Sequence, residues 1–150
     1  MLKVGYKAPA FSLLSGDGTM LGLKDFKGKK VVVYFYPKDN TSGCTREACS
    51  FQEKLSELKK KGAILIGVSA DGVNSHAKFA SKHDLSFPLL SDEKKEVLKA
   101  YGVWKEKSMF GRKYMGIERT TVVIDERGII AHVFPKVKVD GHAKEVLDVL

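Results

Sequence analysis

At 150 residues with 43% hydrophobic content, the chain is long enough to bury one core, so we expect a single domain over residues 1–150. No apolar run approaches the roughly 18 residues of a membrane span. The first residues also lack an apolar signal segment, so we expect a cytoplasmic protein with no membrane partner.

The net charge of +8 raises the possibility of a nucleic-acid partner. Acidic residues are interleaved with the lysines, however, and no RNA- or DNA-binding motif occurs, so solvated surfaces explain the charge and we expect no nucleic-acid partner.

The first two thirds of the chain alternate between strand and helix signals. Candidate helix caps are Asn74 or Ser75 for the second helix and Ser91 or Asp92 for the third. The predicted order is a β-hairpin at 10–14 and 19–21, a strand at 31–36, a helix from 45 to 61, a strand at 63–69, a helix at 73–83, a strand at 87–90 and a helix from 92 to 101.

The last third is predicted to begin with a long irregular segment over residues 102–116, and loops of that length in compact domains are often functional. Residues 119–125 and 129–134 flank a glycine-containing turn and predict a second hairpin. A helix over 141–150 closes the chain. The early strand–helix–strand units require parallel pairing and the late hairpin adds antiparallel strands. The sequence therefore predicts an α/β fold with a mixed central sheet, helices on both faces and an N-terminal β-hairpin extension.

Both cysteines, Cys44 and Cys49, lie close to the junction between the apolar strand 31–36 and the first predicted helix. Cys44 falls at or near the first helical turn, where free N–H groups and the helix dipole stabilise a thiolate. Thr41 lies close enough in sequence to turn its hydroxyl toward the same position. Placement alone leaves open the alternative that Cys44 is a small buried hydrophobic residue.

The spacing of the two cysteines constrains their pairing. Five residues apart in one helix, their Cα atoms are separated by roughly 8.5 Å and about 140° around the axis, whereas a disulfide needs less than about 7 Å. Cys44 and Cys49 can therefore bridge only if the first turns unwind. The alternative is that Cys49 is simply buried on the helix.

A metal site is weakly supported by the sequence. The histidines show no Cys-x₂-Cys and His-x₃-His arrangement. His76 and His83 share a predicted helix, and we expect them to face solvent rather than a metal. No metal and no cofactor are expected.

Pro37, Thr41 and Cys44 form the motif P-x-x-x-T-x-x-C, which resembles the signature of peroxiredoxins. Residues 35–41, 101–107 and 116–121 are similar to the bacterioferritin-comigratory, or PrxQ, branch, and the resemblance covers nearly the whole chain. It implies a thioredoxin-like fold and a thiol peroxidase that reduces hydrogen peroxide and organic hydroperoxides.

The resemblance also implies roles for individual residues. Cys44 matches the peroxidatic cysteine, and Arg119 the arginine that stabilises the thiolate and the charge developing on the peroxide. For an arbitrary arginine, a surface ion pair would be the ordinary alternative. Thr41 matches the residue that hydrogen-bonds the peroxide, and Pro37 the one that shields the pocket.

Cys49 matches the resolving cysteine of family members that form an intramolecular disulfide, which thioredoxin or a similar dithiol reduces. Ser42 stands where many relatives carry proline, which we expect to loosen the loop. Family resemblance favours a monomer or weak dimer. A redox sensor that uses the same cysteine pair is the alternative function that the sequence leaves open.

Overall fold

The structure, a computed structural model, describes residues 2–150. One mixed sheet dominates it, and a separate two-stranded hairpin stands beside that sheet. The α-helices within the described residues are α1 Ser42–Lys60, α2 Val73–Lys82, α3 Glu96–Ala100 and α4 His142–Asp148. The strands of the same residues are β1 Ser12–Ser15, β2 Met20–Gly22, β3 Lys30–Phe35, β4 Ala63–Ser69, β5 Leu89–Ser91, β6 Trp104–Met109, β7 Arg112–Ile117, β8 Thr120–Ile124 and β9 Ile130–Phe134.

The sheet order is β2-β1-β5-β4-β3-β8-β9. Strands β3, β4 and β5 are parallel, because α1 and α2 return the chain to the same end of the sheet each time. The hairpin β8–β9 joins antiparallel on one side, and the N-terminal hairpin β1–β2 joins antiparallel through β5 on the other. The predicted mixed sheet and both predicted hairpins are confirmed.

Strand β3 separates two apolar cores, since alternate side chains of a strand point to opposite faces. Val32 and Tyr34 belong to the core that contains side chains of α1, α2 and α4. Val31, Val33 and Phe35 belong to the other core, with side chains of α3 and the N-terminal arm. Helices therefore cover both faces of the sheet, as the sequence predicts.

Residues 102–116 are not the irregular segment that the sequence predicts. They contain the hairpin β6–β7, which pairs Trp104 with Ile117 at its base and Met109 with Arg112 at its tip. Most of its side chains are exposed on both faces, so the alternation that marks a half-buried strand is absent. Its turn residues Phe110 and Gly111 both have positive φ, the geometry of a type I′ turn. A phenylalanine is not a sequence signal for that conformation.

The predicted N-cap positions of α2 and α3 are wrong, although Asp92 does bond to an amide of the first turn of α3. Helix α2 begins after Gly72, with no side-chain cap. The short helix α3 begins after Lys95, whose φ of 64° is left-handed. Asp92 satisfies one free amide at the start of this helix, because its Oδ2 accepts a hydrogen bond from the Leu98 N–H at 2.7 Å. Among the helices of residues 2–150, none has the length and hydrophobicity that crossing a membrane requires.

Candidate active site

The site lies beyond the carboxyl end of β3, where the chain turns into α1. Pro37 is half-buried just after the strand. Thr41 is the N-cap of α1 with extended backbone, φ −86° and ψ 153°. Because the helix begins at Ser42, Cys44 lies in its first turn, where unpaired amides and the helix dipole favour an anion.

Arg119 reaches the same place from the distant strand β8. That strand runs antiparallel to β3 and pairs Thr120 with Phe35, so the residue before it lies beside the end of β3. The Arg119 Nη2 donates a hydrogen bond to the Cys44 Sγ at 3.4 Å. Sheet register therefore brings together two residues that are 75 positions apart in sequence.

Glu47 is a member of the site that the sequence analysis missed. Its Oε1 accepts a hydrogen bond from Arg119 Nη1 at 2.6 Å, and its side chain is only 1% exposed. One guanidinium thus holds a thiol and a carboxylate, one on each terminal nitrogen. The sequence does contain a signal for this residue. Glu47 lies three residues after Cys44 on the apolar face of a predicted helix, where a charged residue is unusual.

The electrostatics of this pair follow from burial. Burial raises the pKa of Glu47 to about 7, although the charge and the hydrogen bond of Arg119 act in the opposite direction. Burial opposes the charge on Arg119 as well, but Glu47 and Cys44 outweigh it, so the pKa of Arg119 is raised. Lys107 adds a further cation on β6, where burial and then the repulsion of Arg119 lower its pKa.

Gly43 explains how the guanidinium fits against the helix. A Cβ atom built on Gly43 would lie 3.2 Å from Arg119 Nη2, closer than ordinary van der Waals contact. The absence of a side chain at this position therefore leaves the space that Arg119 occupies beside the sulfur.

Cys44 is both buried and next to a cation. It is 1% exposed and packs in the core that contains Ala48 and Phe51. The two alternatives that the sequence leaves open, a buried hydrophobic residue and a helix-terminal thiol, are thus properties of one residue. Thr41 is exposed, and its hydroxyl donates to the Lys38 carbonyl at 2.8 Å, which leaves its lone pairs available as acceptors.

Cys49 lies half-buried further along the same helix, and both thiols are free. Helix α1 is continuous through both positions. Helical geometry therefore keeps the two Cα atoms roughly 8.5 Å apart, too far for a disulfide.

A second polar cluster lies next to the loop and includes His76, which was expected to face solvent. That expectation is wrong, because His76 is 0% exposed. Ligand atoms of Asp39, Asp71 and His76 lie within 4.8 Å of one another, close enough for a metal ion. Each of the three side chains is already hydrogen-bonded within the protein, so the cluster is a hydrogen-bonded network.

Residues 4–133 match the AhpC/TSA family. Over 146 residues the chain is 54% identical to a putative peroxiredoxin Bcp of Coxiella burnetii, with 97% of each chain covered. It is 45% identical to peroxiredoxin Bcp of Bacillus subtilis, covering 99% of this chain and 95% of the relative. The chain belongs to the AhpC/TSA family, in its Bcp or PrxQ branch. It is accordingly a peroxiredoxin, a peroxidase that uses a cysteine thiol.

Solved peroxiredoxin structures agree with the fold. A Xanthomonas campestris bacterioferritin comigratory protein, described for its alkyl peroxide reduction activity, superposes with a TM-score of 0.91 at 40% identity, covering 97% of this chain and 96% of that one. A cysteine-to-serine variant of Xylella fastidiosa PrxQ gives a TM-score of 0.94 at 37% identity, with coverages of 99% and 94%. The thioredoxin-like peroxiredoxin fold expected from the sequence is confirmed.

Proposed function

We propose that Cys44 is the peroxidatic residue of this peroxiredoxin. The observation that carries the assignment is the Arg119 Nη2 at 3.4 Å from a sulfur in the first turn of α1. The thiolate attacks the peroxide oxygen that bears hydrogen and the O–O bond breaks. Cys44 becomes a sulfenic acid, and the departing oxygen takes a proton to leave as water or an alcohol.

The neighbouring residues have separate tasks in this step. Arg119 stabilises the thiolate and the negative charge that develops on the departing oxygen. Thr41 accepts a hydrogen bond from the attacked oxygen through the lone pairs that its own donation to Lys38 leaves available. Pro37, half-buried at the end of β3, shapes the entrance to the pocket.

Cys49 resolves the sulfenic acid. Its thiolate attacks the Cys44 sulfur, the S–O bond breaks as the disulfide forms, and the departing hydroxide takes a proton to leave as water. Two electrons are then needed to restore the thiols. Because the intact helix keeps the two Cα atoms too far apart, the first two turns of α1 unwind at this stage.

The disulfide is reduced by a dithiol, for which we propose thioredoxin or a similar cytoplasmic protein. We also propose that the peroxidase works as a monomer or weak dimer, since both cysteines that it uses lie in the same helix of one chain.

Substitution of each cysteine tests the assignment. We expect Cys44→Ser to abolish peroxide-dependent oxidation of reduced thioredoxin. Cys49→Ser retains the first peroxide reaction, gains one oxygen in intact mass and loses turnover with thioredoxin. Wild-type protein treated with one equivalent of peroxide instead loses two hydrogens. Normal thioredoxin-dependent turnover by Cys49→Ser would refute its resolving role.

The same assay distinguishes the enzyme from a redox sensor. A peroxidase turns over many equivalents of peroxide with its reductant, whereas a sensor is oxidised once and is recycled slowly. Sustained turnover at a constant rate supports the peroxidase, and a single equivalent of consumption contradicts it.

A further inference from the structure

Asp39 is a buried acidic residue in the loop between β3 and α1. Asp39 is 4% exposed, although Lys38 before it and Asn40 after it are both exposed. A charged residue buried in the middle of an exposed loop needs compensating contacts, because burying an unpaired carboxylate is costly.

Four neighbours supply those contacts. The Asp39 amide donates to Asp71 Oδ2 at 2.8 Å. Its Oδ1 accepts from the Tyr36 hydroxyl at 2.6 Å. Its Oδ2 accepts from the Ser75 hydroxyl at 2.8 Å and lies 2.7 Å from Nδ1 of His76. Backbone and side chain of Asp39 are thus tied to the residue that follows β3, to the loop after β4 and to α2.

The histidine contact joins two buried side chains. His76 Nε2 lies 3.0 Å from the Leu90 carbonyl, which can only accept, so this nitrogen donates. Burial acts to raise the pKa of Asp39, but the hydrogen bonds from His76, Tyr36 and Ser75 outweigh burial, and the net shift is downward. With Nδ1 at 2.7 Å from Asp39 Oδ2 and Nε2 on the Leu90 carbonyl, the His76 ring links the carboxylate to β5.

We propose that Asp39, held by Tyr36, Ser75 and His76, is the fixed upstream end of the loop that presents Cys44, and that helix unwinding is confined to the chain beyond it. Asn40 directly follows and has a left-handed φ of 64°, so the backbone changes direction immediately after the anchor. The inference rests on the proposed function, because it assigns the anchor to the peroxide step. Asp39 and its partners are positioning residues, since they act through Thr41 and Cys44.

The anchor has different consequences for the two chemical steps. Attack on peroxide requires Cys44 to stay beside Arg119, so any freedom in the loop lowers the rate of sulfenic acid formation. Disulfide formation requires Cys44 to leave that position, so a looser anchor does not slow it. A purely structural contact would lower stability without separating the two steps.

Two tyrosines provide a matched test. Tyr36→Phe removes the hydroxyl that donates to Asp39 at 2.6 Å. Tyr101→Phe removes a hydroxyl that donates to the Pro9 carbonyl, also at 2.6 Å, in the other core. Both rings are almost completely buried, so each variant leaves a buried acceptor with one donor fewer. Sulfenic acid formation is measured by competition for hydrogen peroxide against a haem peroxidase, and disulfide formation by quenched-flow intact mass.

We expect Tyr36→Phe to lower the rate constant with peroxide about tenfold and Tyr101→Phe to change it less than about twofold, with disulfide formation not slowed in either variant. Equal effects of the two variants on the peroxide step, or slower disulfide formation in Tyr36→Phe, would overturn the proposal. Ser75→Ala, at a half-buried position, removes another donor to Asp39 and should lower the same rate constant in a variant that folds.

Failure of the anchor proposal and failure of the proposed function give different results in this experiment. If wild-type protein and Tyr101→Phe consume peroxide rapidly and Cys44→Ser does not, the peroxidase assignment holds whatever Tyr36→Phe does. If wild-type protein fails to consume peroxide, the assignment itself fails.

Discussion

A single guanidinium defines the site at the level of residues. Arg119 donates to the Cys44 sulfur and to the Glu47 carboxylate, and its side chain remains only 17% exposed. An arginine suits this position because its planar fork binds two partners at once, which a lysine ammonium does with less geometric precision. Glu47 fixes the orientation of the fork, so the site is better described as a triad than as a cysteine with an arginine.

Gly43→Ala tests how closely the guanidinium must approach the helix. The added methyl group would lie 3.2 Å from Arg119 Nη2 and displace it from the sulfur. Replacing a helical glycine by alanine stabilises the fold by up to about 1 kcal/mol, whereas the rate with hydrogen peroxide should fall roughly tenfold through lost charge stabilisation. Stability by urea titration and the peroxide rate constant are measured together.

Ser42→Ala is the matched control for this variant. Ser42 is the exposed neighbouring residue of the same helical turn, and its substitution should leave the peroxide rate constant unchanged. A Gly43→Ala protein that reacts as fast as wild type would contradict the prediction, because the methyl group would then not displace Arg119 from the sulfur.

At the level of elements, the proposed cycle requires two incompatible states of α1. While it is wound, it places Cys44 at its positive end and buries it, and it keeps Cys49 out of reach. In the proposed disulfide step it unwinds, which lets the two sulfurs meet. The energy of opening two turns is a fraction of the global stability, so the proposed cycle needs no larger rearrangement.

Hydrogen exchange of the oxidised protein checks this alternation. In disulfide-bonded protein we expect the amides of residues 45–49 to exchange at rates close to those of an unstructured segment, because their helical hydrogen bonds are broken. The amides of residues 55–60, at the other end of α1, should stay protected. The measurement is hydrogen–deuterium exchange by mass spectrometry on reduced and oxidised protein.

The peroxide-treated Cys49→Ser variant is the control for oxidation without a bridge. Its first turns should keep their protection, since no disulfide pulls Cys44 away from Arg119. Unchanged exchange in the oxidised wild type would contradict the unwinding step.

The hairpin β6–β7 shows where element prediction failed and why. Most of its side chains are exposed, so neither the alternation nor an apolar run marks its strands. Its turn depends on Phe110 and Gly111, of which only the glycine is an ordinary sequence signal for positive φ. The buried strands were predicted nearly to the residue, because burial imposes the pattern that the sequence displays.

At the scale of the whole molecule, the buried Glu47 should link folding to pH. Its pKa is about 7 in the folded protein against 4.5 when unperturbed, so the folded state binds more protons between these values. The free energy of unfolding therefore loses a contribution of about 2 to 3 kcal/mol as the pH rises from about 5 to about 8.

Glu47→Gln removes the titrating group and its contribution. The free energy of unfolding of the variant minus that of wild type should be higher at about pH 8 than at about pH 5, by about 2 to 3 kcal/mol. Urea titrations of both proteins at the two pH values give the difference. Glu53→Gln, an exposed residue of the same helix, should show no such trend, and a Glu47→Gln difference independent of pH would contradict the prediction.

The sequence by itself determined the elements and the chemistry of the loop. The apolar run of β3, the turn residues after it and the helix signals that follow place Cys44 at a helix start, and these are local properties of contiguous residues. The motif of Pro37, Thr41 and Cys44 carries the family likeness for the same reason. The mixed sheet likewise follows from the order of strands and helices.

The family likeness names Arg119, but only the tertiary structure shows how Arg119 and Glu47 meet at the sulfur. The register of β8 against β3 brings Arg119 to 3.4 Å from Cys44, and packing of α1 on the sheet buries Glu47 against the same guanidinium. The burial of His76 against Asp39 likewise depends on how α2 packs beside the loop. Contacts between residues far apart in the chain leave no local pattern, because they depend on sheet register and helix packing rather than on neighbouring residues.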